Sequence, residues 1–557
     1  MIGTSFPEYC FIRCCIFVLQ YTTPICLTYL LVSLACNGAS ALSYTTNKLL
    51  IGYSVLDALY AAFIFYPYSY RLKQAAKHPP TIPYSERKAI FNRCQDNIPD
   101  FTLYLRKWFL GATIDDIGRE NVRDFISWAF FDRWPEQQTS AENEETDKYI
   151  DEIEQRIEHS LKPGRGNANS LRLTFEDVGV RYRSVVWYFM VGAVDIFTHL
   201  QQLRRGFQYY AQPYTQALSV VPPRPQAWFS KKRSVSRLSY WYRPHTSKDK
   251  LPIVFMHGIG IGLWPYSSYL ASLNKGSGDD DQIGIIALEI LPVSFRLTDA
   301  PLSQAEFLCE IEAILAEHQW DQFGIVGHSY GTVLATHMVR KTSSSSVFQI
   351  NVLEEHLLKS ATLSSRIDTV VLIDPVCILL HLPDVAYNFT RRKPTEANEW
   401  LLWYFASMDP GTAHCLGRHF FWKENIAWKE DLLVKMGKPL AQGNAGNGSY
   451  PARFRSRNVA VCLSERDLIV DTPTVLQYLM GGKDWASPGE EAKRTFSQNG
   501  SVSPQEQQYR LGLNHFKNDG IEVLWFPGLD HAQTFDYQNA QDRLTELTRR
   551  LASNGEK

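Results

Sequence analysis

The stretch Phe323-Gly324-Ile325-Val326-Gly327-His328-Ser329-Tyr330-Gly331-Thr332-Val333-Leu334 decides the fold. An apolar run ends in Gly327-His328-Ser329-Tyr330-Gly331, and apolar residues then recur at Leu334, Met338 and Val339 with helical spacing. The pattern is strand, tight turn, helix, with a serine at the apex. Small residues flank that apex because the nucleophile's backbone is strained and neighbouring chain must pass close by. A Gly-x-Ser-x-Gly pentapeptide alone is a weak signal. The strand before it and the helix after it supply the context that a nucleophile elbow demands.

Outward from the elbow, apolar strands alternate with helices. Residues 235–242 alternate as a strand should, and Ile253-Val254-Phe255-Met256 reads as a buried strand running into His257-Gly258-Ile259-Gly260-Ile261-Gly262. Residues 283–288 are a third strand, and Ser303-Gln304-Ala305-Glu306 is a capping box that opens a helix ending near His318. After the elbow come strands at 369–374, 459–463 and 521–526. Such a series predicts a mostly parallel sheet covered by helices on both faces, an α/β architecture.

A serine hydroxyl is a poor nucleophile at neutral pH. It needs an imidazole to take its proton and a carboxylate to hold that imidazole's tautomer. The loop Ser464-Glu465-Arg466-Asp467-Leu468-Ile469-Val470 follows one strand, and Pro527-Gly528-Leu529-Asp530-His531-Ala532-Gln533 follows the last. Asp467 and His531 are the expected partners of Ser329, each at the carboxyl end of a strand. Asp374 and Glu465 are the rival acids, Asp530 lies too close to His531 in sequence, and His515 is the rival base. The glycine-rich turn after Met256 supplies backbone N–H groups for an oxyanion, with Ile259 as first donor and Tyr330, next to the serine, as second. His257 is expected to brace that turn rather than react. Nothing in the sequence calls for a metal or an organic cofactor.

The N-terminal part has a different character. Residues 10–35 and 49–66 are long apolar runs around Asn37-Gly38-Ala39-Ser40-Ala41, and each is about the 20 residues needed to cross a bilayer. Arg71, Lys73, Lys77, Arg87 and Lys88 follow the second run, while the connecting loop holds only Lys48. The positive-inside rule then predicts a membrane hairpin with the rest of the chain in the cytosol. A cleaved signal peptide fits less well, since no basic segment precedes Arg13. The expected organisation is an anchor over 1–72, a mainly helical region over 73–230, and a catalytic domain over 231–557. Within 73–230, aromatic-rich segments 104–110 and 122–131 read as amphipathic helices, 136–147 as a solvated loop, and Ile150, Ile153, Ile157 and Leu161 as one helix face. The apolar segment 185–194 is too short for a third span.

Between Asp374 and Val459 lie more residues than a crossover requires, among them Trp400, Trp403, Tyr404, Phe420, Phe421 and Trp422. They predict a helical cap over the site, about 376–450, ahead of a polar insertion at about 481–520 read as a surface loop, with 437–449 a flexible loop inside the cap. Lys plus Arg total 57 against 58 Asp plus Glu, so the net charge of −1 gives no general attraction to nucleic acid. The 10 cysteines, five of them within the apolar first 36 residues, form no disulfide or zinc pattern.

Taken together, His257-Gly258-Ile259-Gly260, Gly327-His328-Ser329-Tyr330-Gly331, Asp467 and His531 resemble the α/β-hydrolase superfamily over 235–557, in its order of serine, acid, histidine. The longer pattern looks like a group of fungal membrane-associated α/β-hydrolase-fold proteins. That likeness lies in the block from Arg93-Cys94 to Phe131, in Leu372-Ile373-Asp374-Pro375-Val376 and in Gly417-Arg418-His419-Phe420-Phe421-Trp422. The resemblance implies a serine hydrolase of ester or related acyl bonds and brings no firm substrate; the apolar N-terminal runs add a membrane anchor, and the aromatic cap with that tethering favours an apolar or lipid-like substrate. An acyltransferase with the same residues, and an idle scaffold on the same fold, are the competing readings, because fold alone does not fix function.

Overall fold

The computed structural model describes residues 3–340, 363–435, 455–481 and 515–553. The expected flexible loop at 437–449 and most of the polar insertion at 481–520 lie outside them.

At the centre is a nine-stranded sheet. Its strands are β1 (Gln208–Tyr210), β2 (Ser239–Arg243), β3 (Ile253–Met256), β4 (Ile285–Glu289), β5 (Phe323–His328) and β6 (Ile367–Ile373), then β9 (Asn458–Ser464), β10 (His515–Asn518) and β11 (Ile521–Phe526). A separate two-residue ribbon pairs β7 (Val434–Lys435) with β8 (Arg455–Ser456). The order across the large sheet is β1-β2-β4-β3-β5-β6-β9-β11-β10. From β4 to β11 all neighbours are parallel, while β1, β2 and β10 run antiparallel to theirs. The serine-bearing β5 lies between β3 and β6, with Val326 opposite Phe255 on one side and Val371 on the other.

The central strands read as unbroken apolar runs because both faces are covered. Side chains alternate between faces. Val254, Met256, Ile325, Leu372 and Val461 enter one core, and Ile253, Phe255, Val326, Val371 and Cys462 enter the other. Arg457, fully buried just before β9, donates to the carbonyls of Ser364, Ile367, Asp431 and Leu432, so one guanidinium joins the entries of β6 and β9 to the end of the cap.

Two of these strands depart from the sequence reading. Strand β1 precedes residue 231, so the sheet begins inside the region expected to be helical; three residues are too few to show a period. Strand β10 falls within the expected surface loop, and it is half-exposed because it forms the sheet edge, which leaves its composition polar. The segment 136–147 is also corrected. A helix spans Ser140–Ile157, opened by a capping box in which Thr139 and Glu142 exchange hydrogen bonds.

Helices Tyr84–Asp96, Phe101–Trp108, Arg119–Ile126 and Ser140–Ile157 enclose a third core built on Phe91, Trp108, Phe125, Tyr149 and Ile150. That body is fastened to the cap: the Trp422 indole donates to the Ala129 carbonyl at 2.8 Å, and the Lys423 ammonium meets Asp132 at 2.5 Å.

The two N-terminal apolar runs are helices over Phe6–Asn37 and Thr45–Tyr60, the second continuing through a π-turn into Tyr66–Leu72. Tyr9, Ile12, Ile16 and Leu19 recur at spacings of three and four and face the protein. Phe6, Phe11, Phe17, Val18, Ile25 and Leu31 are exposed on the other sides. Arg13 stacks on Trp400 of the cap with its guanidinium carbon 3.7 Å from the ring centre. In the second helix, Asp57 is buried although its surroundings are apolar. Its carboxylate accepts from the Val185 amide at 2.8 Å and from the Thr23 hydroxyl at 2.6 Å. Val185 opens the helix Val185–Arg204, which buries Trp187, Tyr188 and Val191 and exposes Phe189 and Phe197.

Candidate active site

The elbow is held by close approaches that only glycine allows. A Cβ on Gly331 would lie 2.1 Å from the Met256 carbonyl oxygen, one on Gly258 would lie 2.7 Å from the Ser329 Cβ, and one on Gly327 would lie 2.8 Å from the Gly331 carbonyl oxygen. Ser329 itself has a φ of +50°, in the left-handed region that a serine seldom adopts. Its amide donates to the Ile373 carbonyl at 3.0 Å, which pins the turn to β6. The hydroxyl is thereby raised above the carboxyl end of the sheet.

There it meets a histidine. His531 Nε2 lies 2.9 Å from Ser329 Oγ, and its Nδ1 lies 2.7 Å from Asp467 Oδ2. The other oxygen of Asp467 accepts from the amides of Ile469 and Val470 at 2.8 and 2.9 Å. Those bonds fix the carboxylate, and the carboxylate orients the ring with its proton on Nδ1 and the Nε2 lone pair toward the serine. Burial alone would depress the imidazole pKa. The Asp467 carboxylate beside it, with Asp374 and Asp530 further off, outweighs burial and raises the value to about 9.

The rival residues hold other positions. Asp374 accepts from the amides of Ser464 and Ala532 at 3.0 and 2.9 Å, so it ties the β9 and β11 loops together instead of touching the ring. Asp530 accepts from the Leu468 and His531 amides and from the Asn398 side chain. Glu465 accepts from the Gly528 amide at 2.7 Å. His515 pairs with Glu522 on the sheet edge. Three ligand-type groups, on Asp374, Asp467 and His531, come within 4.8 Å of one another, yet their oxygens and nitrogens are all taken up by these hydrogen bonds.

The backbone amides of Ile259 and Tyr330 donate to no acceptor among the described residues. Both border the cavity that contains Ser329. His257 is fully buried, with Nδ1 on the Gly258 carbonyl at 2.7 Å and Nε2 accepting from the Ile290 amide at 2.9 Å. Burial lowers its pKa to about 4, so at neutral pH it is an uncharged brace for the loop that carries Ile259. Tyr266 adds a second brace that the sequence did not mark: its hydroxyl accepts from the Gly258 amide and bonds His328 Nδ1 at 2.8 Å.

Ser329 borders an apolar cavity. Ile259 and Tyr330 border it beside the serine, Phe389 and Phe420 come from the cap, and Trp108 and Trp128 come from the helical region before the sheet. Those two tryptophans lie on segments whose aromatic stripes read as core. No local signal separated the ring that faces a cavity from the ring that faces a neighbour.

The strand order, the antiparallel second strand, the elbow after β5, the carboxylate after β9 and the histidine after β11 define this as the α/β-hydrolase fold, with a helical cap inserted after β6 and two apolar helices at the N-terminal side. No protein-family description and no curated protein matches the chain. Among solved structures similar to it is a membrane phospholipase A described as a bacterial virulence factor, 10% identical, covering 66% of this chain and 94% of that one at a TM-score of 0.34. Another is the meta-cleavage product hydrolase of Pseudomonas fluorescens IP01, 14% identical, covering 57% and 94% at 0.31. A third is the carboxylesterase CesB of Bacillus subtilis, 9% identical, covering 64% and 98% at 0.30.

Proposed function

We propose that this chain is a membrane-anchored serine hydrolase that cleaves an ester or related acyl bond of an apolar or lipid-like substrate. The observation that carries the reading is the hydrogen-bonded row of Ser329, His531 and Asp467 beside an apolar cavity, with two amides next to the serine that donate to no acceptor among the described residues.

In this mechanism His531 Nε2 takes the Ser329 proton as Oγ adds to the carbonyl carbon. The oxygen that becomes negative is received by the Ile259 and Tyr330 amides, placed before the charge develops. The imidazolium, stabilised by Asp467, gives its proton to the leaving alkoxide, which departs as the alcohol. Water, deprotonated by the same nitrogen, then adds to the acyl-enzyme, and Ser329 leaves with the proton returned from His531.

Membrane attachment is supported by the first two helices. Each is long and apolar enough to cross a bilayer, yet only 11% and 22% of their most apolar windows are buried. A helix apolar on every side and covered on one asks for lipid on the others. The basic residues after the second helix favour a cytosolic catalytic domain.

A fluorophosphonate probe applied to membranes containing the protein tests the reading. Wild type is expected to be labelled and Ser329→Ala unlabelled. An unlabelled but well-folded wild type would sink the hydrolase reading in favour of a scaffold. Added alcohol that diverts product from acid to a new ester would instead mark an acyltransferase.

A further inference from the structure

The cavity at Ser329 is not merely apolar in composition, because the polar atoms on its wall are already spoken for. The Trp108 indole N–H donates to the His381 carbonyl at 3.3 Å, that of Trp128 to the Thr174 hydroxyl at 2.9 Å, and that of Trp422 to the Ala129 carbonyl at 2.8 Å. The Thr390 hydroxyl donates back to the Ala386 carbonyl at 2.7 Å, and the Tyr330 hydroxyl accepts from Cys415 Sγ at 3.2 Å. Each amphipathic side chain therefore turns carbon to the cavity and keeps its polar end in the wall. Among the described residues, the wall beyond Ser329 and the two amides beside it is therefore almost wholly apolar.

The wall also has two origins. Near the serine it is formed by residues at the carboxyl ends of strands and in the cap, such as Ile259, Val376 and Ile469. Trp108, Trp128 and Leu173 come instead from a body with its own core, before the sheet in sequence, and Trp108 and Trp128 sit in ring contact at 5.9 Å. Hydrogen bonds from Trp108 to His381 and from Trp422 to Ala129 hold that body against the cap across the cavity.

We infer that the helical region before the sheet is a specificity element: the indole faces of Trp108 and Trp128, with Leu173, close the end of the cavity away from Ser329 and set the length of an unsubstituted hydrocarbon acyl chain. This rests on the hydrolase reading above and names the substrate class of that same site. A hydrocarbon chain gains affinity with every methylene it buries until it meets the indoles, and a chain ending in a hydroxyl or carboxyl loses its hydrogen bonds to water and finds none in the wall. Nothing about this role depends on which alcohol leaves.

The test is kcat/KM for a series of p-nitrophenyl esters of straight-chain acids, from butanoyl to hexadecanoyl, on the full-length protein in detergent, with fluorophosphonate labelling run in parallel. Wild type is expected to rise by up to about fourfold per added methylene and then fall at a limiting length. Trp128→Ala should move that limit to longer chains and raise the ratio of long to short ester by about tenfold or more. Leu173→Trp, which adds volume at the same end, should move it to shorter chains. This second variant keeps the question open to refutation if Trp128→Ala fails to fold. Esters of ω-hydroxy acids should react at least about tenfold more slowly than their unsubstituted parents. Labelled variants with an unchanged chain-length profile, or ω-hydroxy esters cleaved as well as their parents, would overturn the inference while leaving the Ser329 mechanism intact. A folded wild type that takes no label would overturn both.

Discussion

A methyl group on Gly331 would press to 2.1 Å of the Met256 carbonyl, and one on Gly258 to 2.7 Å of the Ser329 side chain. Neither neighbour is a flexible side-chain tip, so backbone must give way. Gly331→Ala is expected to cost about 1–3 kcal/mol in thermal or denaturant unfolding and, by tilting the elbow, to lower turnover more than stability. Among the groups of the proposed triad, Asp467→Asn should leave the fold intact and reduce kcat by about 10⁴-fold, since the ring would lose the partner that fixes its tautomer. Its pH profile gives a separate check. In the proposed mechanism His531 must be neutral to accept the serine proton, and its pKa is raised to about 9, so kcat/KM should climb with pH through a midpoint well above that of an ordinary histidine. In Asp467→Asn the residual activity should reach its plateau at lower pH, because the charge that lifts the imidazole is gone. A wild-type midpoint at or below 6.5 would contradict this account of the site. These residues were legible in the sequence because each follows an apolar strand within a few positions, and the elbow's glycines announce the turn. Tyr266 and Asn398, which brace the same site, were not. Their roles arise from approaches across more than 60 residues of sequence, to His328 and to Asp530, and neither neighbourhood carries a pattern.

At the scale of elements, Arg457 illustrates how the strands reach their places. Its guanidinium is buried and bonded to four carbonyls and the Ser364 hydroxyl, and burial lowers its pKa only to about 10, so it remains charged at neutral pH. Arg457→Leu would strand those carbonyls without donors and is expected to cost at least about 3 kcal/mol, read as a lower denaturant midpoint with β6, β9 and the cap end losing hydrogen-exchange protection together. The central strands were legible because burial on both faces makes them apolar throughout. The edges were not: β1 has three residues, and β10 alternates only between half-buried and exposed positions. The helix Ser140–Ile157 shows a different failure, where acidic residues in its first two turns read as a loop although Thr139 and Glu142 form a capping box. Composition misled there, and the cap was the better guide.

The whole molecule joins its apolar helices to its α/β body more closely than a tether would require. Ile12, Ile16, Leu19, Tyr60, Phe65, Tyr68 and Leu72 belong to the same core as the strands β3, β5 and β6. At about 1.5–3 kcal/mol for each buried side chain, their contribution is on the order of 10 kcal/mol, comparable with the net stability of a typical domain. A version beginning at residue 73 should therefore aggregate or unfold without cooperativity, rather than appear as a soluble enzyme. Recovery of a monomeric, fluorophosphonate-reactive fragment would refute this. The full chain is expected to stay with membranes through alkaline carbonate extraction.

Asp57 gives that union an order in time. Its carboxylate holds the amide that starts the helix Val185–Arg204, and the last group of the site, His531, lies on the loop after the final parallel strand. Ribosomes add about 5–20 residues per second, so roughly 20–90 s separate synthesis of the second apolar helix from that of the histidine. For the first part of that interval, until Tyr182, Tyr188 and the strands β3, β5 and β6 have been made, the inward faces of Tyr60, Phe65 and Tyr68 are uncovered, and until its end Ser329 lacks the base proposed for it. Nascent chains must be sheltered by lipid or a chaperone while they wait, and no acyl bond is at risk from a half-made copy.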